Sequence, residues 1–344
     1  MSDDVPEQPT LGDGVVTLRP WREDDVEAAV AGHDQEIAHW FGWDPDDVTV
    51  EGHRRAVEEW RRGYERNRSV VAFVVEVDHE VVGCVEVRAI DQDTGQVSWA
   101  LYAGYRGRGY ATRAVRLVGD YALDALGYTR VEARVEPQNT PSTRVATRSG
   151  MRREGLRRVN PGSGDRRETT EYAVYARLRD DPPLDRPESF RALLNSFLPR
   201  KRAIAQLLVR DPDGRVLLCS LTYKRDRDLP GGVVEVGESP QVAVGREVEE
   251  ELALKIPVGR LLLTDWLPPW SGWDDALCLV FDGGVVDPSV LDDAVLEARE
   301  IRAVAFCTLA EVREHCAEFT ARRIEAALAA LDGSGASYTE SGRA

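Results

Sequence analysis

The sequence predicts an α/β protein of two domains, one after the other. Three observations carry this expectation. The chain has 344 residues, more than one ordinary domain needs. Short β-branched runs alternate with amphipathic stretches in both halves. Between the halves, DDPPLDRPESFRALLNSFLP (180–199) holds four prolines and several charges, and proline disfavours long regular elements. The expected layout is a tail over 1–12, a first domain over 13–180, a Pro-rich linker over 181–200, a second domain over 201–332 and a loose tail over 333–344.

Within the first half, 15–18 reads as a strand, and 24–31 and 50–65 read as helices. The Val-rich runs 70–77 and 81–90, parted by DHE, read as a hairpin. A strand at 97–102 leads into a Gly-rich turn and a helix to about 126. A strand at 131–136, a short helix over 141–149 opened by proline, and strands near 154–158 and 169–177 complete the block.

In the second half, 203–210 and 216–220 flank the turn signal Pro212-Asp-Gly. Ser239 followed by Pro240 is a helix start, with the helix running to about Leu252. Strands near 261–266, 277–281 and 304–306 and a helix over 317–331 follow. Residues 190–198 are long enough for one short helix inside the linker.

Composition excludes several classes. Apolar residues make up 42% and charged residues 30%, a globular balance rather than a disordered one. The net charge of −16 argues against nonspecific binding to a nucleic-acid polymer, yet leaves small anionic ligands open. No apolar run reaches the length needed to span a bilayer, so no membrane partner is expected. The acidic N-terminus does not read as a signal peptide. Five cysteines without a C-x-x-C pair fit reduced thiols and a cytoplasmic setting, not a zinc site.

Two constellations carry chemistry. Gly107 and Gly109 stand between a strand and a helix, where missing Cβ atoms let backbone N–H groups approach a phosphate. A Gly-rich connector without a ligand fits the same residues. In the second half, Glu247, Glu250 and Glu251 are spaced i, i+3, i+4 and share one helix face. Like charges so spaced repel unless a cation stands between them, and Mg²⁺ suits hard oxygen ligands and substrate phosphates. A solvated acidic face is the alternative on spacing alone.

The wider pattern around each constellation resembles a known family. In the first half, Arg106, Gly109 and Ala111 fit R-x-x-G-x-[GA], the acyl-CoA loop of GNAT acetyltransferases. The resemblance runs over roughly 14–178. It includes VTLRPWREDD (16–25), VVGCVEVR (81–88) and VEPQNTPSTRVATRSGMRREGLRR (135–158), the last similar to the N-x-x-S stretch of the ribosomal-protein N-acetyltransferase branch. It implies a mixed sheet with flanking helices and acetyl-CoA as cosubstrate. The acceptor would be an amine, a protein N-terminus or a small molecule. Backbone amides of Arg106, Gly107, Arg108, Gly109, Tyr110 and Ala111 would hold the CoA pyrophosphate. Asn139 would lie near the pantetheine arm, and Ser142 would protonate the departing thiolate. On their own chemistry Asn139 and Ser142 also suit helix capping. The branch often has a Glu before the strand entering the loop; this chain has Gln96 there, with Glu86 on the preceding strand as the substitute base.

In the second half, Gly232, Glu238, Arg246, Glu247, Val248, Glu250, Glu251 and Leu254 match G-x5-E-x7-R-E-U-x-E-E-x-G-U, the Nudix box. Ala253 stands where that pattern has Gly. The resemblance covers about 201–331. It implies an α/β/α sandwich that hydrolyses a nucleoside diphosphate linked to another moiety. Mg²⁺ or Mn²⁺ would be held by Glu247, Glu250, Glu251 and the carbonyl of Gly231, with one glutamate activating water. Arg246 would position a glutamate, and Glu297 or Glu300 would add a ligand. Tryptophans 266, 270 and 273 could stack on a nucleobase or seal an interface.

The combined expectation is a bifunctional enzyme, acetyltransferase and diphosphate hydrolase. Its alternatives are a hydrolase whose first domain senses acyl-CoA, and an acetyltransferase regulated by a nucleotide-binding second domain.

Overall fold

In a computed structural model of the chain, residues 7–44, 48–159, 171–270, 272–333 and 335–343 are described. The chain divides into two units, Met1–Leu198 and Pro199–Ala344.

The first unit runs β1 (Leu11–Gly12), β2 (Thr17–Pro20), α1 (Asp25–Gly32), α2 (Gln35–Phe41), α3 (Val50–Asn67), β3 (Val70–Val77), β4 (Glu80–Ala89) and β5 (Thr94–Leu101). It continues with α4 (Tyr110–Asp124), β6 (Arg130–Val135), α5 (Thr140–Arg148), β7 (Arg152–Arg158), β8 (Glu171–Leu178) and α6 (Pro187–Phe197). The strands form one mixed sheet in the order β1-β2-β3-β4-β5-β6-β8-β7. The β3–β4 hairpin turns through Asp78 and His79, both with positive φ, as a tight two-residue turn requires.

Apolar residues of the strands bury one sheet face against α4, and β3 is buried on both faces. Phe73, Val85, Val97 and Val131 meet Ala114, Val115, Val118 and Ala122 in this core. Deeply buried Val and Phe side chains each contribute roughly 1.5–3 kcal/mol of transfer free energy.

Helix α2 has no counterpart among the elements expected from the sequence. Its signals are its caps: Asp34 accepts from Ile37 N, and Gly42 ends the helix in the left-handed region. The expected linker also differs. Residues up to 198 belong to the first unit, and α6 is tied down by a hydrogen bond from Arg153 N to Ser196 Oγ (3.1 Å). Ser189 Oγ donates to Pro182 O (2.8 Å), which ties the first turn of that helix to the proline-rich segment before it.

The second unit runs β9 (Arg202–Arg210), β10 (Val216–Leu221), β11 (Arg227–Asp228), β12 (Gly231–Val233), α7 (Pro240–Leu252), β13 (Leu261–Leu267) and β14 (Ala276–Val285). After these come β15 (Ile301–Cys307), α8 (Leu309–His315), α9 (Glu318–Ala329) and β16 (Ser337–Glu340). The sheet order is β11-β10-β9-β14-β13-β16, with β12 also on β9 and β15 also on β10. Apolar cores lie against α7 (Val244, Val248, Leu252) and against α9 (Ile324, Ala327).

The tails are less loose than the sequence suggests. Residues 1–6 lie outside the described residues, but Gln8 Nε2 donates to Ala72 O (2.9 Å) and β1 joins the sheet. At the other end, β16 pairs in parallel with β13. The cause is Asp265, fully buried on β13. Its carboxylate accepts from Arg323 Nε (2.8 Å), Thr339 Oγ1 (2.7 Å) and Gly342 N (2.8 Å). A buried carboxylate demands such partners, and the polar tail supplies two of them.

Candidate active sites

The first site arises where two parallel strands part. Strands β5 and β6 pair only at Thr94↔Arg130, Gly95↔Val131 and Gln96↔Glu132. Beyond that point β6 continues to pair with β8 on its other side. A cleft of about 510 Å³ opens there, walled by residues 96–101 of β5, the Gly-rich turn and α5. The facing backbone edges are left for an extended ligand to pair with.

At one end of the cleft stands the start of α4. Gly107 and Gly109 have φ of 77° and 85°, a region that favours glycine. No side chain caps this helix, and its first turn holds no acidic residue. Its N–H groups and positive end are therefore offered to an anion. Arg106 has a different task. Its guanidinium donates to Leu101 O (2.9 Å), Glu36 (2.6 Å) and Asp34 (2.9 Å), so its side chain braces the turn from inside. The Arg106 hydrogen bond holds the Asp34 carboxyl below its usual range. Arg108 is exposed, 5.8 Å over the Tyr105 ring. Tyr110 is half-buried against the core, and Ala111 is buried.

Asn139 is buried, and its side chain accepts from Ser142 N (3.0 Å), capping α5. Ser142 lines the cleft, and its hydroxyl makes no hydrogen bond among the described residues. Glu86 does not line the cleft. It stands behind Ser98, whose Oγ donates to it at 3.2 Å, and Ser98 and Gln96 are in the wall. Sequence reasoning missed Glu36, Trp40 and Phe41 of α2, Glu136, Arg144 and Arg148, all in the wall.

The second site is built on β12 and α7. Ser239 caps the helix, accepting from Val242 N. Gly231 is sterically required, since a Cβ there would meet Ala205 O at 2.2 Å, whereas a Cβ on Gly232 would displace the Glu247 carboxyl, 2.5 Å away. Arg246 gathers three carboxylates: Glu238 (3.0 Å), Glu247 (3.0 Å) and Glu250 (2.9 Å).

Glu251 is buried and accepts from Gly231 N (3.1 Å). Burial pushes its pKa up to about 7 against that hydrogen bond, and the negative charges of Glu247, Glu300 and Asp228 add to the rise. Burial also raises Glu247, with Arg246 opposing and Glu250 and Glu300 adding. The spacing pattern is thus resolved in space. Glu247 and Glu300 add to the negative charge felt by Glu251, whereas Glu250 is largely exposed, pairs with Arg246 and adds its charge at Glu247 only. Glu297 contributes its backbone, donating from N to Glu251 O (2.9 Å).

Among the described residues no three His, Cys, Asp or Glu side chains are drawn together as a formed metal site. The donor chemistry nevertheless fits a hard divalent cation. The charges that act on Glu251 are negative, and hard carboxylate oxygens suit Mg²⁺ or Mn²⁺. Trp270 and Trp273 are largely exposed; Trp270 lies edge-on to Phe319 (5.7 Å) and Arg202 covers Trp273 (4.8 Å).

Comparison with known proteins agrees with this division. An acetyltransferase (GNAT) domain model matches residues 16–152, and a NUDIX domain model matches residues 199–328. The first unit carries a GNAT acetyltransferase domain and the second a NUDIX domain. Among relatives, "Probable N-acetyltransferase YjcK" of Bacillus subtilis (strain 168) is 34% identical over 33% of this chain and 66% of its own length. A "MutT-like protein" of Streptomyces ambofaciens is 35% identical over 39% of this chain and 78% of its own. Mycobacterium smegmatis RimJ, solved in complex with CoA-disulfide, is 25% identical with a TM-score of 0.46, covering 55% of this chain and 95% of that one. Among the described residues no helix is long and apolar enough to cross a membrane.

Proposed function

We propose that the chain is a bifunctional enzyme. The first unit transfers an acetyl group from acetyl-CoA to an amine. The observation that carries this is the parted β5–β6 edge ending at an uncapped helix N-terminus. An extended pantetheine arm would pair with the open backbone edges, and the amides of residues 106–111 would take the pyrophosphate. Ser142, free at its hydroxyl among the described residues and in the cleft wall, would return a proton to the leaving thiolate. Glu86 would draw the amine proton through Ser98 or water.

The second unit hydrolyses a nucleoside diphosphate linked to another moiety. The half-buried Glu247 and the buried Glu251, whose like charges repel, support this reading. Glu247, Glu250, Glu251 and the Gly231 carbonyl would hold Mg²⁺ or Mn²⁺, with Glu300 as the added ligand. Such an ion neutralises phosphate charge and makes water more acidic. The tryptophans at 270 and 273 offer a stacking surface for a nucleobase. Both substrates place the protein in the cytoplasm.

The test incubates the full chain with Mg²⁺, acetyl-CoA, a panel of amines and a panel of diphosphate-linked nucleosides. Free thiol and phosphomonoester are read separately. Amine-dependent thiol release, lowered in Ser142→Ala without weaker acetyl-CoA binding, supports the transferase. Binding of acetyl-CoA with no thiol release from any amine would leave the first unit as a sensor. Nucleotide binding without Mg²⁺-dependent cleavage would leave the second as a binding module.

A further inference from the structure

Among the described residues, two carboxylates line the cleft of the first unit, Glu36 and Glu136. Glu36 pairs with Arg106 at 2.6 Å. Glu136 is half-buried, yet among the described residues its carboxylate accepts no hydrogen bond and forms no ion pair, although Arg134, Arg144 and Arg148 share the wall. Other carboxylates withdrawn from water nearby are treated differently. Asp34 is held by Arg106 (2.8 Å), Glu76 by Arg19 (2.6 Å), and Glu132 by Arg130 (3.1 Å) and Arg134 (3.0 Å). Taking a carboxylate partly out of water without a partner is costly, so the countercharge at Glu136 is left for a ligand to supply.

Strand register tells which face Glu136 occupies. Gln96 pairs with Glu132, so their side chains share one face of the sheet. Period two then puts Ser98 and Ala100 of β5 on that face, together with Arg134 of β6 and Glu136 just beyond it. Ala100 packs there with Ile37 and Phe41 of α2. Val97, Val131, Ala133 and Val135 point the other way, into the core beneath α4. Glu136 therefore stands on the α2 face of the cleft, as do Ser98 and the Glu86 behind it, and not on the face covered by the helix whose N-terminus is open to an anion.

Resting on the acetyltransferase reading of this cleft, we propose that Glu136 anchors a second positive charge on the acceptor, so that the preferred acceptor is a primary amine carrying another cationic group. An acyl-CoA has no cation to offer a carboxylate, and its phosphates would be repelled by one. The acceptor is the partner that remains. Arg134 does not compete for it, because Glu132 takes its charge. By the register above, Arg134 is level with Ser98, and Glu136 lies two residues further, about 7 Å along the strand. The reacting nitrogen at Ser98 and the cation at Glu136 are separated by about that length. Trp40 and Phe41 offer apolar surface to the carbons between them.

The experiment follows thiol release from acetyl-CoA by the full chain with two matched pairs of amines, 1,4-diaminobutane against butylamine and lysine amide against norleucine amide. Wild type should show a kcat/KM about tenfold or more higher for the cationic member of at least one pair. Glu136→Gln keeps the shape and removes the charge. It should raise KM for that amine until the pair differs by no more than about twofold, with the neutral partner's kinetics and acetyl-CoA binding by calorimetry unchanged. Glu136→Asp keeps the charge on a shorter arm and should retain part of the preference. Equal kcat/KM within both pairs, or turnover of singly charged amines alone, overturns the proposal. So does an undiminished preference in Glu136→Gln. An equal loss for both members of a pair, or weaker acetyl-CoA binding, overturns it as well, since either would mark a role outside acceptor choice. If wild type releases thiol with no amine of any kind, the acetyltransferase reading itself fails, an outcome distinct from all of these.

Discussion

Arg246 grips Glu238 with two parallel hydrogen bonds, Nε to Oε1 and Nη2 to Oε2, each 3.0 Å. The same guanidinium reaches Glu247 and Glu250, so one side chain fixes the glycine loop and two helix carboxylates together. Lysine cannot form this fork. Arg246→Lys should therefore lower diphosphate cleavage by about tenfold or more and lower the melting temperature by a few degrees. Adding Glu238→Gln to it should cost little more, because the two residues act as a unit. Wild-type kinetics in Arg246→Lys would refute the shared role.

Glu251 and Glu250 should respond differently in metal-free protein. Glu251 is buried among negative charges, so Glu251→Gln should raise metal-free thermal stability while cleavage falls by about 10²–10³. Glu250 is exposed and paired only with Arg246 among the described residues, so Glu250→Gln should leave metal-free stability within about 1 kcal/mol. Melts with and without Mg²⁺, run beside cleavage assays, decide the matter. A lower metal-free melt with undiminished cleavage in Glu251→Gln would reduce it to a structural acid.

Ala253 ends α7 in the left-handed region, with φ of 56°. The helix neither extends nor shifts to avoid it, so the strain is held at this exposed residue. Ala253→Gly should stabilise the chain by about 0.5–1 kcal/mol in urea unfolding, with cleavage unchanged. A loss of stability would show that the backbone there carries no strain.

A Cβ on Gly109 would meet no atom within 4 Å, yet its φ is 85°. The requirement is conformational, together with close approach of a phosphate. Gly109→Val should weaken acetyl-CoA binding by about tenfold or more in a folded protein. Unchanged affinity, with an unaltered circular dichroism spectrum, would move the CoA site elsewhere.

His53 packs between Trp21 (5.7 Å) and His33 (5.3 Å). Burial, with the charge of His33 adding, lowers its pKa from 6.5 to about 4. The folded state thus resists a proton that the unfolded chain accepts. The stability from this site is complete above pH 6.5 and is lost as pH falls towards 4. The total loss is up to about 3 kcal/mol. His53→Phe should flatten the pH dependence of the urea midpoint across this window. An unchanged slope would assign it to other groups.

Much of this molecule follows from local sequence. The Val-rich runs around Asp78 and His79 specify the β3–β4 hairpin, because a β-branched run and a two-residue turn are short-range properties. Ser239-Pro240 opens α7, and Glu247 and Glu251 share its inner face, because helix geometry alone sets which residues lie together. The glycines at 107 and 109 announce a turn that only glycine enters readily. Helix α2 is equally local, written in Asp34 and Gly42, but its short apolar stretch hides it.

Tertiary structure decided where the long charged side chains go. Spacing groups Glu250 with Glu247 and Glu251; the fold turns Glu250 to Arg246 and brings Glu300 to the other two from a distant loop. The sequence marks Arg106 as part of a phosphate loop, whereas the fold uses its guanidinium to brace that loop against Glu36 and Asp34. The polar tail became β16 because Asp265, far away in the chain, needed donors in a dry core. Helix and hairpin periodicities act over a few residues and can be read directly. The partner of a flexible arginine or a buried carboxylate is chosen by whatever the folded chain brings within about 3 Å of it.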